Sequence, residues 1–498
     1  MFKNCTECNR IIFSEINANC YQCCKLRSIP LSGNKVVDDF IRRYTLVNGE
    51  VSIEFVPFDK FKDVKYIGEG GFSRVYSATW KEGPIANWND EKQKYVRHGK
   101  ITVALKELNK SKNISPKELN ELKIYFNITL NWKSDNFNYT NINTYYGITQ
   151  NPITQNFMIV MKYFESGDLA HCLFNKFFNL SWCNKLNVLK DIASGLRDLH
   201  STNIIHKDFH SGNIFITGNF CMNAFIADFG ISKSALDDDD EIYGIIPYVA
   251  PEIFLSHKYT KASDIYSFGM IMWEVMTGRK PFWDRNHDAE LIVEICINGA
   301  RPPIVTDAPK GYIELMKECW HPNPNERPTA TELKGKLWNI LDEEHDLFST
   351  PTKITKTPDI GPVTANNPRA IYTSRALSAM IKSIEFTKCL KIQDYFTKEL
   401  EFDIDIDNNH SNCHRSGRLR KLTPKKRCQI GRIVKHNHFT TAGEMKAQLE
   451  EKNPELEVSE RTIRRELKNL GFVSVRPRKV ALLTEKAKEK RLSWAVIT

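Results

Sequence analysis

The chain has 498 residues, enough for about three domains and at least one large core, which excludes a single small module. Hydrophobic residues make up 41% and charged residues 26%, so the chain lacks the apolar depletion of a wholly disordered protein. The net charge of +10 is unevenly spread: residues 411–498 carry 22 basic and 9 acidic side chains, a surplus of +13, which leaves the rest slightly acidic at −3.

The first ten residues, MFKNCTECNR, lack the apolar stretch of a secretory signal, and no segment approaches the ~20 apolar residues of a membrane span. A cytoplasmic or nuclear location without membrane attachment is expected, and there the thirteen cysteines stay as thiols. Five of them crowd into the first 24 residues. Cys5-x2-Cys8 and Cys20-x2-Cys23 form two knuckles separated by eleven residues, a spacing at which four thiolates surround one Zn²⁺. Residues 1–30 have no apolar core of their own, so a structural zinc would supply their folding free energy. The plainer alternative is a disordered leader that happens to carry cysteines, and Cys24 could compete for the metal. The pattern resembles a small zinc ribbon, and residues 31–57 read as a linker behind it.

The stretch from 58 to 345 mixes strand-like and helix-like segments. GEGGFSRV (68–75) joins VKYI to VYSATW, and an insert containing Trp88 reads as a hairpin excursion. VALK (103–106) is a strand ending in Lys106, and ELNELKIY places Glu118 and Glu121 one turn apart on a helix. HKDFHSGN (206–213), DFG (228–230), APE (250–252) and DIYSFG (264–269) follow in that order. Six ordered motifs of this kind resemble the eukaryotic protein kinase family over about 58–345.

That resemblance implies a bilobal α+β fold, ATP and Mg²⁺ as cofactors, and a protein substrate. Phosphoryl transfer needs positioned cations and backbone N–H groups rather than covalent help. Gly68 and Gly70 would let the loop close over the phosphates, with Ser73, Val75, Ala104, Met161, Tyr163 and Phe164 around the nucleotide. Met161 is implied as the gatekeeper before a hinge at Lys162 to Phe164, or simply as core. Lys106 would neutralise phosphate oxygens while paired with Glu121, for which Glu118 is the alternative. Asp228 and Asn213 would hold Mg²⁺, hard oxygens for a hard ion. Asp208 would accept or orient the substrate hydroxyl proton. His206 and Asp264 would anchor the catalytic loop, and Glu252 would pair with Arg327.

The sequence departs from the family pattern at several positions. Ser73 replaces the third glycine of the loop, so reduced mobility is expected rather than loss of ATP. Lys207 stands where the family keeps an Arg that grips a phosphorylated activation loop, and Lys is only a point charge. Asp237 to Asp240 and Glu241 form an acidic run that is either a solvated loop or a constitutive source of negative charge for Lys207. His210 and Ile245 replace the Lys and Thr common in serine/threonine kinases, while HKDFHSGN also differs from the tyrosine-kinase form. The combination looks like the tyrosine-kinase-like group of serine/threonine kinases in a fungal-type variant.

Residues 346–415 contain STPTKITKTPDIGPVTANNP, which lacks apolar periodicity and reads as a largely flexible linker. Three helical patterns follow: LTPKKRCQIGRIVKHN, TTAGEMKAQLEE and VSERTIRRELKNLGF. Ile430, Ile433 and Val434 in the first and Ile463, Leu467 and Leu470 in the third fall at helical spacing and would share a small core. Ser459 is a candidate N-cap, and the third helix would carry Arg461, Arg464 and Arg465 toward a major groove. With GRLRK (417–421) as a minor-groove arm through Arg418 and Arg420, residues 416–498 resemble the all-α helix-turn-helix of Tc1/mariner-type transposases. The family's carboxylate-bearing catalytic domain would lie after RLSWA, so DNA binding without strand transfer is the expectation. The whole then reads as a kinase with an N-terminal zinc ribbon and an appended DNA-binding module. A pseudokinase scaffold and a DNA-binding regulator in which kinase activity is secondary are the alternatives.

Overall fold

A computed structural model of the chain describes residues 2–381 apart from 7–10, 14–20, 49–52, 71–72, 90, 93, 133–140, 219–221, 231–232, 235–241, 257, 307, 347–351 and 365–366. The head forms a short hairpin of β1 (Phe2–Asn4) and β2 (Ile11–Phe13), then α1 (Tyr21–Arg27). The segment read as a linker at 31–57 is helical over α2 (Lys35–Asn48), which buries Val37, Ile41 and Tyr44. Its polar residues hide an i, i+4, i+7 apolar stripe, and the Tyr44 ring stacks on Phe126 at 4.6 Å.

The small lobe is a twisted six-stranded sheet in the order β3-β9-β10-β8-β5-β4. Its members are β3 (Glu54–Phe55), β4 (Phe61–Glu69), β5 (Ser73–Trp80), β8 (Ile101–Leu108), β9 (Tyr145–Gln150) and β10 (Phe157–Lys162). The insert forms the expected hairpin, β6 (Ile85–Asn89) with β7 (Lys94–Arg97), and Arg97 clamps Glu54 through two hydrogen bonds of 2.9 and 2.6 Å. Helix α3 (Asn120–Trp132) packs beside the sheet. Val103, Leu105, Met158 and Val160 bury one sheet face with Trp80, while Ala104, Ile148 and Ile159 join the large core on the other. Central strands buried on both faces explain the continuous apolar runs VAL and MIVM.

The large lobe is helical: α4 (Leu169–Lys176), α5 (Trp182–Ser201), α6 (Pro251–Ser256), α7 (Lys261–Thr277), α8 (Ala289–Ile297), α9 (Tyr312–Cys319) and α10 (Ala330–Asp346). Two-residue and four-residue strands lie at the junction of the lobes: β11 (Ile204–Ile205), β12 (Ile214–Thr217), β13 (Asn223–Ile226), β14 (Lys233–Ser234) and β15 (Tyr243–Gly244). Caps fix the helix ends. Asp168 accepts from His171 N, Ser181 from Asn184 N, and Thr260 closes a capping box with Ser263 at the start of α7. Helix α7 is buried along nearly its whole length and stops at Gly278, whose φ of 72° puts it in the left-handed region. A Cβ there would also strike the Phe177 ring at 2.7 Å.

Residues 352–364 and 367–381, read from composition as part of a linker, lie against the large lobe instead. Ile360, Leu377 and Ile381 are buried in its core, and β16 (Arg375–Ala376) pairs antiparallel with β15. Ile360 stands alone and Leu377 and Ile381 make a single i, i+4 pair, too little to read as periodicity, so composition alone suggested a tether. None of the described helices is long and apolar enough to cross a membrane. The helix-turn-helix expected within 416–498, with Arg418, Arg420, Arg461, Arg464 and Arg465, lies outside the described residues.

Candidate active site

The site is assembled from the ends of β8, α3 and the loops between β11 and α6. The sheet register puts Val75 opposite Lys106 and Ala104 opposite Met161, so the strand residues expected around a nucleotide lie on neighbouring strands. Tyr163 and Phe164 continue from β10, with the Phe164 ring stacked on Phe215 at 5.3 Å. Met161 is buried, and its sulfur accepts from Asn143 Nδ2, so it serves the core whatever else it does.

Lys106 Nζ donates to Glu121 Oε2 at 2.8 Å and to Asp228 Oδ1 at 2.7 Å. Of the two glutamates weighed for this pairing, Glu121 makes it. Glu118 instead accepts from the backbone N and hydroxyl of Ser115 at 2.7 and 2.5 Å, just ahead of α3. Burial works against the Lys106 charge, but Asp228 and then Glu121 outweigh it and hold the amine above its ordinary range. Tyr145 donates to the second oxygen of Glu121 at 2.7 Å, a support that no spacing in the sequence signalled.

The catalytic loop hangs from α7. Asp264 accepts from His206 N at 2.9 Å and Lys207 N at 3.1 Å, and its carboxylate also meets His200 Nε2 at 2.8 Å. The fully buried His206 ring faces Ala227 O at 3.1 Å, tying this loop to the residue just ahead of DFG. Lys207 and Asp228 both take left-handed φ values, 70° and 61°, a strain that the surrounding bonds hold in place. The Lys207 amine lies over the Tyr259 ring at 5.0 Å, while the acidic run at 237–241 is outside the described residues.

Asp208 sits between loop and site. Burial opposes its ionised form, but His210 outweighs this and keeps the carboxyl below the usual carboxylate range. His210 Nε2 lies 3.6 Å from Asp208 Oδ1, and Nδ1 accepts from Gly212 N at 3.1 Å. In the neutral ring that contact leaves Nε2 as the proton-bearing nitrogen facing Asp208, whereas the protonated ring bears a proton on both nitrogens and gives the Gly212 contact up. Asn213 donates Nδ2 to Asp208 O at 2.9 Å and accepts from Ala227 N through its own carbonyl, so its side-chain amide oxygen is uncommitted by these bonds. Beneath the loop a buried polar relay runs from Ser211 and Tyr248, which donate to the two oxygens of Glu274 at 2.9 and 2.6 Å. The sequence offered no motif for that relay, because its three members are distant in the chain.

Glu252 and Arg327 form the expected pair as a two-fork contact of 2.6 and 2.8 Å, with the Arg327 side chain fully buried. Ser73 is buried, and Gly70 N closes the strand turn by donating to Ser73 O at 2.8 Å.

ATP and Mg²⁺ suit this donor set. A Cβ at Gly68 or Gly70 would meet no described atom within 4 Å, so the described residues leave space beside the backbone there for an approaching phosphate. The Asp228 side chain is 46% exposed beside the nearly buried Lys106, leaving one hard oxygen free to face a divalent ion.

In the head, Cys5 and Cys23, one from each knuckle, are buried with sulfurs 3.8 Å apart, while Cys8 and Cys20 lie outside the described residues. Among the described residues no group of three or more His, Cys, Asp or Glu is placed to hold a metal.

His210 carries a pH prediction. Burial lowers its pKa, but the Asp208 carboxylate, helped by Asp228 and Glu274, raises it above the ordinary histidine value. The protonated ring is therefore favoured in the folded site, and its contribution is complete below about 6.5 and fades as pH rises through the raised value. The rate of phosphate transfer is expected to show an alkaline limb there. His210→Lys should remove that limb, which pH–rate profiles of the two proteins would show.

Two sequence profiles match the chain. The one described as protein tyrosine and serine/threonine kinase covers residues 61–337, more than half of the chain. The other, a helix-turn-helix described as transposase, covers 427–496, which includes Arg461, Arg464 and Arg465 but not Arg418 or Arg420. A protein of Acanthamoeba polyphaga mimivirus named as a serine/threonine-protein kinase/receptor is 32% identical over 58% of this chain and 16% of its own length. A Dictyostelium discoideum protein named as the serine/threonine-protein kinase pats1 is 32% identical over 58% of this chain and 9% of its own. Ephrin type-A receptor 7 of Gallus gallus is 31% identical over 48% of this chain and 24% of its own. The chain thus spans less than a quarter of the length of each of these relatives.

Proposed function

The chain belongs to the protein tyrosine and serine/threonine kinase family, and from that premise we propose that it transfers the γ-phosphate of ATP to serine or threonine hydroxyls of protein substrates. The observation that carries the proposal is Lys106 held between Glu121 and Asp228, together with an Asp208 carboxyl held below the usual carboxylate range. When bound, ATP supplies the activated phosphoryl group and Mg²⁺ neutralises its oxygens. Lys106 offers a fixed cation to phosphate oxygens, Asn213 and Asp228 offer oxygens to the metal, and Asp208 orients the acceptor hydroxyl and receives its proton. The presence of Lys106, Glu121, Asp208, Asn213 and Asp228 together speaks against a pseudokinase scaffold. His210 and Ile245 in place of the usual Lys and Thr support assignment to the tyrosine-kinase-like group. Incubation with Mg-ATP followed by unbiased mapping of phosphorylated residues tests both activity and acceptor class. Phosphoserine and phosphothreonine are expected, and phosphotyrosine alone would overturn the class.

Two further assignments flank the enzyme. The head is a structural zinc module: four thiolates about 2.3 Å from one Zn²⁺ stand roughly 3.8 Å apart, the separation of Cys5 and Cys23 sulfurs. About one zinc per chain is expected by elemental analysis, falling on Cys5→Ser. The tail is a DNA-binding module, supported by the transposase match and the +13 surplus. Gel shifts over a salt series should show affinity falling steeply with salt. Arg464→Ala with Arg465→Ala should weaken binding, and unchanged binding would exclude the docking of this helix.

A further inference from the structure

We propose that Ser374 is a phosphoacceptor of this chain's own active site, presented in cis by the segment that follows the last helix of the large lobe. The segment is tied down at several points. Gly361 N donates to Thr277 O at 2.8 Å, and Ile360 is buried. Farther on, His287 gathers the chain: its backbone N donates to Arg369 O at 3.0 Å, its ring Nδ1 faces Ile371 O at 2.9 Å, and its carbonyl accepts from Arg375 at 2.6 Å. The path then turns into β16, which adds a strand to the loop just ahead of APE, with Gly244 opposite Arg375 and Tyr243 opposite Ala376. Leu377 N donates to Ile242 O at 2.8 Å, Ile242 N donates to the Ser378 hydroxyl at 3.0 Å, and the Leu377 side chain is fully buried.

This is the way an extended peptide binds a sheet edge: main-chain bonds fix the register and the register decides which side chain reaches the pocket. Gly244 is the reference point, because a Cβ placed on it would lie 3.9 Å from Asp208 Oδ1. Ser374 is the residue next to its partner Arg375. The Ser374 hydroxyl is buried without a full hydrogen bond among the described residues. It nevertheless lies close enough to act on the Asp208 carboxylate.

Neighbouring hydroxyls are disposed otherwise. Tyr372 is turned away, its hydroxyl donating to Pro281 O at 2.8 Å and its ring set edge-on to His287 at 4.8 Å. Thr373 is exposed, and the Ser378 hydroxyl is occupied by the Ile242 amide. Of the four hydroxyl residues in YTSRALS, Ser374 is the one whose buried hydroxyl oxygen lies beside the carboxylate that accepts a proton.

The step rests on the kinase activity proposed above. Ser374 Oγ bonds to the γ-phosphorus of ATP while the bond from that phosphorus to the β,γ-bridging oxygen breaks; the hydroxyl proton passes to Asp208 and ADP leaves. The product places a phosphate of about −2 charge against the Asp208 carboxylate, and this repulsion should push β16 off β15 and open the site to other substrates.

The test uses the full chain. Purified protein with Mg-ATP is expected to carry phosphate on Ser374, with a rate constant that stays within twofold over a 100-fold dilution. An isotope-labelled Asp208→Asn copy mixed in should remain unmodified at Ser374. Before any nucleotide is added, hydrogen exchange should find the Leu377 amide protected at least 100-fold, and Ser374→Glu should remove most of that protection. Phosphate on other residues or on an added peptide library with none on Ser374 overturns the inference and leaves the kinase proposal standing. Modification of Ser374 at a rate proportional to chain concentration, or an unprotected Leu377 amide, also overturns it. No phosphate on any protein or peptide overturns both.

Discussion

Asp208→Asn is expected to lower phosphate transfer about 10²–10⁴-fold, the usual weight of one positioned acid–base group. The carboxylate is ionised in the folded site because His210 outweighs the cost of its burial, so it stands ready to take a proton across the neutral range. Asparagine keeps the shape and a hydrogen-bonding oxygen, but its amide cannot accept the proton. The loop itself should be undisturbed. Its anchors are the backbone bonds from His206 and Lys207 to Asp264 and the amide bond from Asn213 to the Asp208 carbonyl, none of which uses the Asp208 side chain. The unfolding free energy should therefore change by only about 1 kcal/mol, because the substitution opens no cavity and gives up chiefly the contact with His210. Transfer measured with radioactive ATP, set beside a denaturant melt, separates these effects. Retained activity in a folded variant would take Asp208 out of the chemistry.

The candidate site residues Lys106, Asp208, Asn213 and Asp228 were legible because they sit in short motifs whose order is unusual. Glu121 was harder. Two glutamates were expected one turn apart on a single helix, but α3 begins at Asn120, and Glu118, in the turn ahead of it, serves Ser115 while Glu121 makes the ion pair. What supports the chemistry was not legible at all. Tyr145 is 24 residues from Glu121, and Ser211 is 63 residues from Glu274, so neither contact has a local pattern. Composition misled most where a segment has no core of its own. Residues 31–57 and 352–381 looked like linkers, yet Tyr44 and Leu377 are buried because each docks on a lobe already folded. A docked segment needs only an anchor or two, and such anchors give no periodicity. The acceptor proposed at Ser374 comes from that class of contact.

Glu121→Ala should be costly for folding as well as for catalysis. Lys106 and Glu121 are both nearly buried, with side chains 7% and 3% exposed, so removing the carboxylate leaves a buried ammonium with Asp228 as its remaining ionic partner and deprives the Tyr145 hydroxyl of its acceptor. Breaking a buried pair from one side typically costs about 3–5 kcal/mol. Because Asp228 still shares the charge, the lower end, about 3 kcal/mol, is expected in a denaturant melt. The pH dependence follows from the same contacts. In the intact protein Asp228 and Glu121 together hold Lys106 above its ordinary value against the effect of burial. A raised lysine pKa means that the contribution of the Lys106 charge is complete below the unfolded value and is lost only as pH climbs through the folded one, well into the alkaline range. Without Glu121 burial weighs more heavily, so the amine should give up its proton at a lower pH. Activity of Glu121→Gln, which keeps the shape and a partner for Tyr145, should therefore decline with rising pH sooner than that of the intact protein. An unchanged alkaline limb would mean that Asp228 alone sets the charge of Lys106.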